Sequence, residues 1–226
     1  VRLPRGIADA PLTHAWLLVL LVTTVVQRRA GHAASRHIQR RHSTNLRRLD
    51  SEPHRVLTTS LFWLDNARWW PYVPVFAGVV APAERRLRSW RWLLVGVTAH
   101  VVGTYVGQSY LRLLIRRNRA PRHLVDARDV GVSYFVLGVA GALTKYARHR
   151  RRARMIGTAA LAANAAARPT FTEVGHLTAF LVGLAATPLT PDDAPSYPRE
   201  RFTIPAAGRR GPWIGNAPSS AGEPPG

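Results

Sequence analysis

The apolar residues of this chain are gathered into separate blocks of about membrane-spanning length, and the stretches between the blocks are filled with arginine. Apolar residues spread at amphipathic spacing would point to a soluble core; continuous blocks point to a bundle of helices in lipid. Six blocks stand out, at residues 11–26, 69–83, 92–115, 130–146, 155–167 and 174–189. Only the third reaches the roughly 20 residues that a perpendicular helix needs. Shorter spans are tolerated inside a bundle, where flanking residues and local thinning of the bilayer absorb the mismatch. The fifth is rich in alanine and carries Asn164. The expected fold is therefore all-α, a polytopic membrane bundle of six helices.

The mean hydropathy of −0.08 is low for such a protein because of the arginines between the blocks. Of 32 Lys and Arg residues only Lys145 is a lysine, and the formal net charge is +20. A charge of that size raises nucleic acid as a partner. The arginines bracket apolar blocks instead of forming one helical stripe, however, and no zinc, helix-turn-helix or RNP-type motif accompanies them. Contact with anionic lipid head groups is the simpler reading, with no nucleic acid. The scarcity of lysine beside abundant Ala, Arg and Gly points to a GC-rich bacterial genome. With no cysteine, disulfides, thiolate metal sites and a cysteine nucleophile are excluded.

Arg2 and Arg5 precede the first block as they would in a signal peptide, but no small-x-small cleavage site follows, and the block reads as the first membrane helix. Segment 27–68 is too polar to cross a bilayer yet long enough to be structured, and its stretch 56–64, with Trp63, is expected to rest at the interface. After residue 189 the chain turns Pro-, Gly- and Ser-rich, which predicts a disordered tail. The expected organisation is thus 1–44 for the first helix and the start of the basic loop, 45–189 for the membrane core and 190–226 for the tail. Lys and Arg divide equally between the two sides of a six-span arrangement, so the positive-inside rule gives no orientation.

Polar side chains within an apolar block are costly and mark candidate sites. His100 and His176 qualify. Thr170 and Glu173 form a capping-box pattern that fixes the start of the last helix, and Asp129 is an acceptable N-cap for the fourth. Spans four and six cross in the same direction, so their starts share one side of the membrane. At 1.5 Å per residue Ser133 and His176 lie about 6 Å and about 9 Å beyond their caps, at nearly the same depth. Small residues Gly131, Gly138 and Gly141 on one helix and Gly175, Ala179 and Gly183 on the other permit close approach. A serine hydroxyl within reach of an imidazole is the minimum for an activated nucleophile. Taken singly, a serine beside glycine is ordinary helix-packing composition, and a histidine near a helix start is often structural. A transporter or channel would instead draw on His100, Gln108 and Asn164 as pore-lining groups, although Ala99, Gly103 and Gly107 on the same helix read better as a packing row.

Gly131-Val132-Ser133 resembles the first part of the rhomboid Gly-x-Ser-x-Gly motif, and Gly175-His176-Leu177-Thr178-Ala179 with Gly183 resembles the family's histidine helix. Arg55-Val56-Leu57-Thr58-Thr59, Phe62 and Ala83-Glu84-Arg85-Arg86 fall at rhomboid spacing upstream. On these residues, over roughly 45–189, the chain resembles a divergent bacterial member of the rhomboid family. The resemblance implies an intramembrane serine protease in the cell membrane, with Ser133 as nucleophile and His176 as general base, no third acid, and neither metal nor cofactor. It implies transmembrane proteins as substrates, a cytoplasmic N-terminus and an external first loop. Counting back from Glu84, the positions where rhomboids carry histidine and asparagine for the oxyanion hole hold Arg68 and Tyr72. Both donate hydrogen bonds, and Arg68 has a second reading, snorkelling to the interface beside Trp69 and Trp70. Phe135 replaces the motif's second glycine and is expected to narrow the space there. Leu137 stands where an aromatic residue commonly packs on the histidine, with Tyr134 expected to point elsewhere. A non-catalytic relative that binds transmembrane helices is the alternative.

Overall fold

A computed structural model describes residues 9–64 and 68–192. Helix α1 (Pro11–Arg29) begins with Pro11, whose missing N–H costs nothing at a helix start. No side chain of its own caps it. The Glu84 carboxylate does so from another helix, accepting the N–H groups of Leu12 at 3.1 Å and Thr13 at 2.7 Å, and also the Ser89 hydroxyl at 2.6 Å. This cap explains how Glu84 can be buried: the helix N-terminus supplies the positive end of a dipole. Among the described residues α1 is the one helix both long and apolar enough to cross a membrane.

The basic segment is folded. It forms α2 (Gly31–His42), α3 (Leu46–Ser51) and α4 (Pro53–Thr59), with the Asn45 side chain capping α3. Trp63 stacks on His42, but Val56, Ser60 and Leu64 of the stretch expected at the interface are buried instead. They are drawn in because α1 supplies partners: Trp16 Nε1–H donates to the Leu61 carbonyl at 2.8 Å, and Gln27 Nε2–H to that of Leu64 at 3.1 Å.

Helix α5 (Tyr72–Val75) runs through a π-helical stretch (Phe76–Val80) into α6 (Ala81–Leu87). The wide turn ends at Pro82, which has no N–H to continue the ordinary ladder, and the Ala81 N–H reaches back to the Phe76 carbonyl. Arg88, at φ 65°, then reverses the chain directly into α7 (Ser89–Arg116), a left-handed conformation that costs a non-glycine residue of order 1 kcal/mol or more. Helices α8 (Gly131–Leu143), α9 (Arg150–Ala167) and α10 (Phe171–Ala185) complete the order, so helix runs through most of each of the six apolar blocks and the described residues form an all-α fold.

The centre is built by α7, α8 and α10, packed through the small residues marked in the sequence. A Cβ on Gly183 would lie 1.9 Å from the Gly138 carbonyl oxygen, so the α8 and α10 backbones touch. Gly103 and Gly107 of α7 likewise face Gly175 and Phe171 of α10. Around this centre Trp16, Phe76, Trp92 and Phe135 form an aromatic cluster, with Trp16 and Trp92 each 4.7 Å from Phe135 between ring centroids. Helix α9 buries no residue fully and packs against α10. The described residues belong to one compact unit. The first residues of the expected tail are bonded, through the Thr190 and Pro191 carbonyls to Lys145 and Tyr146; residues 193–226 lie outside the described residues.

Candidate functional site

Ser133 is the third residue of α8 and His176 the sixth of α10. Contacts between Ser133 and His176, Gly138 and Gly183, and Gly141 and Leu184 advance together along the two helices, which therefore run parallel. The result is a Ser133 Oγ to His176 Nε2 distance of 2.9 Å. The first turn of α8 carries no side-chain cap, and the Val132 and Ser133 N–H groups in that turn have no acceptor within the helix. Ser133 Oγ also lies 3.3 Å from the Val130 carbonyl; when the hydroxyl proton is turned to Nε2 that contact is given up.

The start of α8 is fixed from three sides. The Gly131 N–H donates to the Ser60 carbonyl at 3.1 Å, and a Cβ on Gly131 would meet His100 Cε1 at 2.4 Å. His100 is buried and occupied: its Nε2–H donates to the Leu57 carbonyl at 3.0 Å, leaving Nδ1 as acceptor for Thr104. It anchors α7 to the folded basic segment. Asp129 does not cap α8. Its carboxylate takes the Val130 N–H at 3.1 Å and the Tyr134 hydroxyl at 2.5 Å, and Val130 stands at the cap position.

Tyr134 points toward the histidine, not away from it. Its ring meets the His176 ring edge-on at 5.3 Å between centroids. Gly175 makes this possible, since a Cβ there would come 2.7 Å from Tyr134 Cε1. Ala179 is buried in the same cluster. Phe135 does not narrow the space beside Ser133. Two positions on, it is turned about 200° around the helix and packs into the Trp16, Trp92 and Gly96 surface. Leu137, four positions on, stays on the serine's face.

An open cleft of about 400 Å³ leads to the pair, lined by Pro71, Tyr72, Val75, Ser133, Val136, Leu137 and His176. Of the two expected oxyanion donors, Tyr72 is on this wall, whereas Arg68 is exposed and outside it.

Two residues at the site were assigned other roles in the sequence. Thr170 caps α10, accepting the Glu173 N–H at 3.3 Å, but Glu173 does not return the bond; the Thr170 N–H goes to the Arg168 carbonyl. Glu173 Oε2 instead faces His176 Nδ1 at 3.3 Å and accepts from Asn164 Nδ2 of α9. The i,i+3 spacing of Glu173 and His176 carried that signal, masked by the capping pattern. Asn164 therefore faces a carboxylate in place of a pore. Among the described residues no cluster of His, Cys, Asp or Glu could hold a metal ion.

A sequence model of the family described as rhomboid-like protein matches residues 5–195. Comparison with curated proteins and with solved structures gave no match. The matched span contains every element from α1 to α10, including the parallel pair that brings Ser133 to His176, and the chain belongs to the rhomboid-like protein family.

Proposed function

We propose that this protein is an intramembrane serine protease working through a Ser133–His176 dyad. The observation that carries the reading is the 2.9 Å contact between Ser133 Oγ and His176 Nε2 at the end of an open cleft. His176 Nε2 takes the hydroxyl proton as Ser133 Oγ attacks the scissile carbonyl carbon. The carbonyl oxygen, now negative, is met by the Ser133 N–H at the α8 N-terminus and by the Tyr72 hydroxyl across the cleft. Collapse breaks the C–N bond, and the departing amine leaves with the proton from His176. Water, deprotonated by His176, then attacks the acyl-serine and releases the carboxylic acid with the hydroxyl restored. The mechanism needs no metal or cofactor.

The substrates are transmembrane proteins, suited to a cleft whose walls are mostly apolar. The core spans the cell membrane six times with a cytoplasmic N-terminus, and the arginines between spans bind anionic lipid. Exposed apolar side chains on several helices support this placement: Leu18 and Val22 on α1, Leu93 and Leu94 on α7, Met155 and Ile156 on α9, and Leu181 on α10. Helices shorter than the bilayer are accommodated by neighbours.

A second reading, a non-catalytic protein that binds transmembrane helices, is favoured by the exposed position of Arg68, which leaves the oxyanion with fewer side-chain donors. Labelling of the detergent-solubilised protein with a fluorophosphonate probe separates the two. The protease reading expects labelling that is lost in Ser133→Ala and His176→Ala. A folded wild type that no fluorophosphonate labels, whatever its size, establishes the non-catalytic reading.

A further inference from the structure

The geometry points to Glu173, held by Asn164, as the residue that positions His176 and selects its working tautomer. This rests on the serine-protease reading and adds a third member to the dyad. The neutral imidazole carries one proton. With Glu173 Oε2 3.3 Å from Nδ1, that proton sits on Nδ1 and is donated to the carboxylate, leaving the Nε2 lone pair for the Ser133 proton at 2.9 Å. The opposite tautomer would place a lone pair against a carboxylate and an N–H against the nucleophile. After proton transfer the imidazolium lies beside a negative charge.

Three features separate this from a carboxylate that merely decorates a helix start. The Glu173 side chain leaves its capping position unused, since the Thr170 N–H is bonded to Arg168. Asn164 reaches from a different helix to the same oxygen that faces His176, fixing the carboxylate by a bond external to α10. Both side chains are withdrawn from solvent, at 19% exposure for His176 and 20% for Glu173, where a charge acts more strongly than at the surface. The edge of Tyr134 closes the ring's other side.

The other titratable groups around the imidazole are Tyr134 of α8, with Asp129 bonded to it and His100 of α7 beyond, and Tyr72 across the cleft. Helix α9 contributes the neutral Asn164.

The test is the rate of fluorophosphonate labelling in the full-length, detergent-solubilised protein, read beside its melting temperature. Glu173→Gln keeps the size of the side chain and an acceptor for Nδ1–H while removing the charge. Its labelling rate is expected to fall roughly 10- to 100-fold, the range found when the partner that orients a metal-ligating imidazole is lost. Glu173→Asp, which retains the charge, recovers part of the rate. Asn164→Ala, which leaves the carboxylate but frees it, lowers the rate to a lesser extent, and it carries the test if Glu173→Gln does not fold. Glu173→Gln with the wild-type rate, or a folded Asn164→Ala with the wild-type rate, overturns the positioning role and leaves the dyad standing. Labelling absent from the wild type, or retained in Ser133→Ala, overturns both readings together.

Discussion

Phe135 on α8 fills the space that Gly96 leaves on α7: a Cβ at Gly96 would lie 2.1 Å from Phe135 Cζ. The bulky residue at the motif's second glycine position is thus matched by a glycine on the facing helix. Gly96→Ala is expected to destabilise by about 1–3 kcal/mol through overpacking, and Phe135→Ala by about 3–5 kcal/mol through the cavity it opens among Trp16, Trp92 and Phe76. Gly96→Ala combined with Phe135→Leu should recover part of the loss. Thermal unfolding in detergent reads all three.

Glu84 ties three helical segments at one point. Replacing it by Ala leaves the Leu12 and Thr13 N–H groups and the Ser89 hydroxyl without that acceptor. A loss of about 1–3 kcal/mol is expected, in line with removal of a buried hydrogen-bonding partner. Glu84→Gln, which keeps one carbonyl acceptor, should lose less. Melting temperatures of the two variants against the wild type check the order.

Gly183 and Gly78 make a contrasting pair. A side chain on Gly183 meets the Gly138 backbone, which cannot turn aside, so Gly183→Val should push α10 from α8 and abolish probe labelling along with much of the folded yield. Nothing lies within 4 Å of a Cβ on Gly78, and Gly78→Ala should be neutral or stabilising by up to about 1 kcal/mol. Yield, melting temperature and labelling together distinguish the two outcomes.

Tyr134→Phe keeps the ring beside His176 but removes the hydroxyl bonded to Asp129. It should cost about 1–3 kcal/mol for the buried carboxylate left with one fewer donor. Labelling by a fluorophosphonate should slow while remaining measurable, because the Ser133 and His176 contact does not pass through the hydroxyl.

The sequence by itself determined what runs along single helices. The apolar blocks fell largely on helix, Thr170 marked the start of α10, and the rows through Gly103 and Gly107 and through Gly175, Ala179 and Gly183 marked the touching faces. Depth counting from two helix starts brought Ser133 level with His176, since the rise per residue is fixed by backbone geometry. The tertiary structure decided what depends on the rotation of one helix against another. The Glu173 carboxylate had three candidate partners: its own helix start, the imidazole one turn on, and Asn164 on α9. Only the packing of α9 against α10 selects among them. The same holds for Tyr134, which reaches His176 because Gly175 clears its path, and for Phe135, which is accommodated by a glycine 39 positions away. Periodicity records which face of a helix is covered; it holds no record of which side chain on a neighbouring helix covers it.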